Sequence, residues 1–141
     1  MTGDVSFRGA VAADAYDLAY LHALASGGMV EFFFRDVVPG TGPIELFAQT
    51  MAGTAEPYTW RNCVVADKAG QVIGLLHAYP ADDEEKFEKD PRIPKDRYEV
   101  LVPLDRLMAP GTWYICAVAV RPGNQGHGTG SRFMQLANDQ A

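Results

Sequence analysis

Residues 112–141 read TWYICAVAVRPGNQGHGTGSRFMQLANDQA, and this stretch divides into a strand, a glycine-rich turn and a helix. Trp113 to Val120 holds only aromatic, aliphatic and cysteine side chains. That is the composition of a strand covered on both faces, so it is expected at the centre of a sheet. Arg121-Pro122-Gly123-Asn124 ends it, because Pro122 has no N–H to give a ladder and Gly123-Asn124 tolerate a tight turn. From Ser131 onward Phe133, Leu136 and Ala137 recur at helical spacing. Between strand and helix, Gln125-Gly126-His127-Gly128-Thr129-Gly130 places three glycines where the helix begins. The first amides of a helix have no intrahelical acceptor, and glycine lets a ligand come close to them. The stretch therefore reads as an anion cradle suited to phosphate.

Three kinds of phosphate loop compete for these residues, and spacing separates them. A Walker loop requires Gly-Lys-Ser/Thr after four residues, and no lysine follows Leu104. A dinucleotide fingerprint requires a third glycine where Ser131 stands, and an acidic residue roughly 20 positions further on, past the last residue here. The third pattern is met: Val120-x-Pro122-x-x-Gln125-x-x-Gly128-x-Gly130 resembles the acetyl-CoA motif of the GNAT superfamily of N-acetyltransferases. That motif is Gln or Arg, two residues, Gly, one residue, then Gly or Ala, directly after a strand ending in Val-x-Pro. The resemblance implies an α/β (α+β) fold with a mixed, mainly antiparallel central sheet flanked by helices.

The composition sets the outer limits. A chain of 141 residues and 15.4 kDa is expected to form one domain with a real core. With 48% hydrophobic and 21% charged residues it is an ordinary globular composition. A formal charge of −6 and a pI near 4.9 argue against nucleic acid or an anionic membrane as partner and suit a basic substrate such as an amine. No apolar run approaches a membrane span, and MTGDVSFRGA at the start carries no secretory pattern, so a cytoplasmic location is expected. Cys63 and Cys116 sit in strand-like runs and read as buried thiols. No CxxC or HxxxH spacing joins them with His22, His77 or His127, and no metal site is expected.

The rest of the chain alternates between strand and helix signals. Val5 to Val11 alternates as a first strand; Ala12 to Ser26 follows as a helix with Asp14 as N-cap and Gly27-Gly28 closing it. Met29 to Val38 is an aromatic patch, and a helix runs from Pro43 to Ala52 with Gly53 after it. Residues 58–67 and 71–79 read as strands joined at Asp67-Lys68-Ala69-Gly70. Residues 81–111 form an acidic insertion: from Asp82 through Glu99 eight acids face five bases, net −3, half of the chain's excess. A segment of this length reads either as a solvated surface excursion or as an acidic lid that attracts an amine.

The resemblance also assigns roles. It places Val118, Ala119 and Val120 beside pantetheine through backbone bonds, and Gln125, Gly126, His127, Gly128, Thr129, Gly130 and Ser131 around the pyrophosphate of acetyl-CoA. It makes Glu31, Phe32 and Phe33 candidates for one wall of the acceptor pocket, puts Gly74 near the substrate, and lets His77 reach the site from its strand. Where several members carry a catalytic carboxylate this chain has Tyr114, which with Cys116 shares the parity of Val118 along the strand. The implied activity is transfer of an acetyl group from acetyl-CoA to a primary amine of a small molecule or peptide by direct attack in a ternary complex. The alternative of another class is a non-catalytic acyl-CoA-binding or regulatory module, which would keep the glycine turn without proton-transfer residues. A hydrolase using Cys116 with His77 ranks behind both. The family continues past this helix with further strands, so 1–141 reads as a single domain that stops at the motif helix. An unpaired edge on the last strand then favours a homodimer or other self-association.

Overall fold

The structure, a computed structural model, describes residues 4–105 and 107–141. Four strands, β1 (Val5–Gly9), β2 (Cys63–Lys68), β3 (Gln71–Pro80) and β4 (Trp113–Val120), form one sheet in that order, every neighbouring pair antiparallel. Helices α1 (Ala15–Ala25), α2 (Met29–Phe34) and α3 (Pro43–Ala52) come between β1 and β2. Two short helices, α4 (Lys95–Glu99) and α5 (Val102–Asp105), lie between β3 and β4, and α6 (Thr129–Gln140) follows β4. No helix among the described residues is long and apolar enough to cross a membrane.

Side-chain alternation divides the core into two layers. On one face α1 and α3 cover Val65, Val72, Leu75, Ala117 and Ala119; Leu18, Leu21 and Met51 are fully buried there. On the other face α6 presses Phe133 and Ala137 onto Ala66, Ile73, Leu76 and Ala78. Phe7 meets the Phe133 ring edge-on at 5.3 Å. Gly74 lies under Phe133 on this α6 face and pairs with Val120 across the β3–β4 ladder. The β2–β3 hairpin is closed by two residues, Ala69 and Gly70, at φ 54° and 82°, the positive pair of a type I′ turn. Asp67 Oδ1 accepts the Gly70 N–H at 2.9 Å.

Several expectations change. Among the described strands β4 stands at the sheet edge rather than at its centre, because its only strand partner is β3. Residues 58–62 are not strand; Thr59 caps a short turn and β2 begins at Cys63. Asp14 does not cap α1 with its side chain. Its carboxylate accepts the Val11 N–H at 2.9 Å and pairs with Arg8 at 2.8 Å. The 81–111 segment folds onto the molecule instead of extending into solvent. Ile93 and Tyr98 pack with Phe33 in a third apolar cluster, and Arg97 Nη1 donates to the carbonyls of Phe33 and Arg35, both at 2.9 Å.

The pairing of β3 with β4 contains a bulge. His77 lies opposite Ala117 but Ala78 lies opposite Ile115, so Cys116 has no partner of its own. An extra residue in one strand reverses the parity of everything beyond it. Trp113 and Ile115 face α6 together with Val118 and Val120, whereas Cys116 joins Ala117 on the α1 side. Tyr114 lies on that same side, against Tyr79 at 5.5 Å. Tyr114 and Cys116 therefore do not share a face with Val118.

Candidate functional site

The turn after β4 is fastened before it reaches the helix. The Arg121 amide donates to the Ile73 carbonyl, and its guanidinium bonds the Val72 carbonyl and Asp17, each at 2.8 Å. The same guanidinium lies 4.7 Å above the Tyr20 ring. Gln125 turns back to donate to the Val120 carbonyl at 3.0 Å. Gly126 and Gly128 take φ of 83° and 81°, which a side chain would strain. The first α6 bond runs from the Arg132 N–H to the Gly128 carbonyl, and among the described residues the amides of Gly126 to Ser131 meet no backbone acceptor. These amides border a cleft of about 400 Å³ lined by Val118, Ala119, Val120, Asn124, Gln125, Gly126, Gly128, Thr129, Gly130 and Ser131.

The cleft has the open space and the unbonded amides that an anion such as a diphosphate needs. Among the described residues a Cβ built on Gly126, Gly128 or Gly130 would meet nothing within 4 Å, so their packing does not require these positions to lack a side chain. Unbonded amides at a helix start, with space in front of them, favour an anion. Nine of the ten residues expected here line the cleft. His127 is exposed and stands outside its lining, and Asn124, which the motif did not single out, joins it.

A second cleft, of about 420 Å³, opens within the 81–111 segment where it folds back over Tyr58. Tyr58, Phe87 and Tyr98 supply aromatic walls, and Asp82, Glu84, Glu85 and Lys89 supply charge. Tyr79 is buried beside it and donates its hydroxyl to the Glu84 carboxylate. Burial pushes the Tyr79 hydroxyl far above its ordinary pKa, so it remains a proton donor. Tyr114 packs on Tyr79, which links the second cleft to β4. None of Glu31, Phe32, Phe33 and His77 lines either cleft. Phe33 is buried against Tyr98, Phe32 lies beneath Arg35, and Glu31 is exposed on α2. The carboxylates of the second cleft belong to the segment that the sequence leaves open between a solvated excursion and an acidic lid, and none of them stands out singly there because a charge run reads the same in both cases.

His77 is fully buried with His22, 3.2 Å from His77 Nδ1 to His22 Nε2, and Cys116 Sγ lies 3.6 Å from that same His22 nitrogen. Burial holds His22 down to about 3, aided by the neighbouring His77, and holds His77 at about 4. Burial pushes the Cys116 thiol up to about 12. Burial thus disfavours both the thiolate and the imidazolium, which argues against Cys116 as an activated nucleophile.

The model of the acetyltransferase (GNAT) family matches residues 30–141. Among solved structures, the crystal structure of an acetyltransferase is 22% identical, with a TM-score of 0.70 over 96% of this chain and 74% of that one. An N-acetyltransferase from Staphylococcus aureus Mu50 is 18% identical, with a TM-score of 0.69 over 96% of this chain and 76% of that one. Mosquito arylalkylamine N-acetyltransferase-like 5b is 15% identical, with a TM-score of 0.58 over 97% and 70%. At such identities the likeness is one of fold. Among curated proteins none matches the chain.

Proposed function

The chain belongs to the acetyltransferase (GNAT) family, and from that premise we propose that it transfers an acetyl group from acetyl-CoA to a primary amine of a small molecule or peptide. The observation that carries this reading is the cleft in which the Gly126–Ser131 amides face open space beside Val118–Val120. The amides grip the diphosphate, and the β4 backbone from Val120 back toward the bulge gives the pantetheine arm a ladder to follow. The cosubstrate supplies the activated thioester. The chain must hold that group still, receive a proton from the amine and return one to the leaving thiolate.

The arm's path along β4 leads past the Cys116 bulge to Tyr114 and the second cleft. We place the amine there. Carboxylates of Asp82, Glu84 and Glu85 attract an ammonium, and the rings of Tyr58, Phe87 and Tyr98 cover its carbon chain. Glu84 is the group we assign to take the amine's proton, through its hydrogen bond with Tyr79 and its place in the cleft wall. Tyr114 stands next to that pair and positions it, rather than serving as the base. Direct attack in a ternary complex is favoured over an acyl-cysteine route by the high pKa of Cys116.

The test is thiol release from acetyl-CoA over a panel of primary amines. Amine-dependent release supports the reading. Saturable acetyl-CoA binding with no release over the whole panel would instead favour a non-catalytic acyl-CoA-binding module.

A further inference from the structure

His22 from α1, His77 from β3 and Cys116 from the β4 bulge are 94 residues apart in sequence at the extremes, yet their ligand atoms lie within 4.8 Å of one another. His77 Nε2 faces the Pro57 carbonyl at 3.0 Å. That contact requires the proton on Nε2, so Nδ1 turns a bare lone pair toward His22. His22 Nε2 then has two neighbours, His77 Nδ1 at 3.2 Å, which takes its proton, and Cys116 Sγ at 3.6 Å. Among the described residues the buried His22 Nδ1 has no hydrogen-bond partner.

Two of the three separations match a different occupant, and the third, between His77 and Cys116, lies within 4.8 Å and would close by up to about 1.2 Å on binding. Zinc held tetrahedrally, at about 2.0–2.1 Å from nitrogen and about 2.3 Å from sulfur, keeps two nitrogens about 3.3 Å apart and nitrogen about 3.6 Å from sulfur. We propose that His22, His77 and Cys116 bind a thiophilic divalent ion of the zinc class through three protein ligands, leaving a fourth position open. Two imidazoles and a thiolate select such an ion over the oxygen-seeking magnesium and calcium. The Pro57 carbonyl is the outer partner that orients His77. The half-buried Cys116, on the edge strand, gives the ion a way in.

Binding displaces one proton, from the Cys116 thiol, to solvent. His22 keeps its own proton by shifting it from Nε2 to Nδ1, which frees the Nε2 lone pair for the metal. The ion ties α1, β3 and the bulge of β4 at one point, so occupancy fixes the strand distortion beside the two clefts. The inference stands on the fold alone and is independent of acetyl transfer.

The full chain, stripped with a chelator and titrated with Co²⁺, should take up one ion and develop a near-ultraviolet thiolate-to-cobalt charge-transfer band, which Zn²⁺ then abolishes by displacement. Cys116→Ser should lose the band. His22→Gln should weaken Zn²⁺ binding about tenfold or more. Far-ultraviolet circular dichroism checks folding, and Cys116→Ser, a one-atom change at a half-buried position, keeps the test usable if the histidine variant does not fold. No Co²⁺ uptake by the stripped chain, or a band that survives in Cys116→Ser, would overturn the site.

Discussion

Gly130 separates the two demands a glycine can answer. Its neighbours Gly126 and Gly128 need positive φ, but Gly130 is helical, and its missing side chain leaves only open space. Gly130→Leu should therefore leave the melting temperature unchanged or raise it by a degree or two, since leucine is the better helix former by about 0.8 kcal/mol. Gly74 shows the opposite constraint. A Cβ there would sit 2.8 Å from Phe133 Cε2 and 3.2 Å from the Ala119 carbonyl. Gly74→Ala should cost about 1–3 kcal/mol in denaturant unfolding, and Phe133→Leu should recover part of it in the double variant. A double variant no more stable than the simple sum of the two single changes would refute the steric account. Ala69 carries φ 54° in a turn that suits glycine. Ala69→Gly should stabilise by about 0.5–1 kcal/mol, measured in the same way.

At the scale of the element, the strand–turn–helix from Trp113 to Gln140 was legible because its signals are local: an apolar run, a Pro-Gly stop, glycines at the helix start. The first helix was legible for the same reason, although Asp14 turned to Arg8 instead of capping it. Arg8 holds the Asp14 carboxyl below its usual range, chiefly through their hydrogen bond. A carboxyl depressed in the folded state stabilises above its unfolded pKa of about 3.9, and that contribution is lost as pH falls through the folded value. Asp14→Asn should accordingly flatten the acid side of the stability-against-pH curve below pH of about 4; an unchanged acid limb would count against the pair. The bulge at Cys116 had no local signal. An uninterrupted apolar strand reads the same with or without an extra residue, and the parity of Tyr114 could be read only once the His77–Ala117 register was known.

Across the whole molecule, what the sequence concealed is what folding brings together from a distance. His22, His77 and Cys116 lie on three elements with no common spacing. The 81–111 segment looked solvated because its buried anchors, Ile93 and Tyr98, are sparse among charges, and Phe33, which receives them, is some sixty residues earlier. That folding turns a charge run into the wall of a cleft joined to β4 through Tyr79 and Tyr114. Glu84→Gln should lower kcat for amine acetylation by about 10²- to 10⁴-fold without weakening acetyl-CoA binding. Wild-type turnover by this variant would remove Glu84 from the reaction.

The central claim is that the amides opening α6 hold the diphosphate of acetyl-CoA. Calorimetric titration of acetyl-CoA into the wild-type chain and into Gly130→Leu tests it most directly. The account predicts one site per wild-type chain, and binding at least about tenfold weaker in a variant whose melting temperature has not fallen. Equal affinity in the two proteins, or no binding by the wild type, would contradict it.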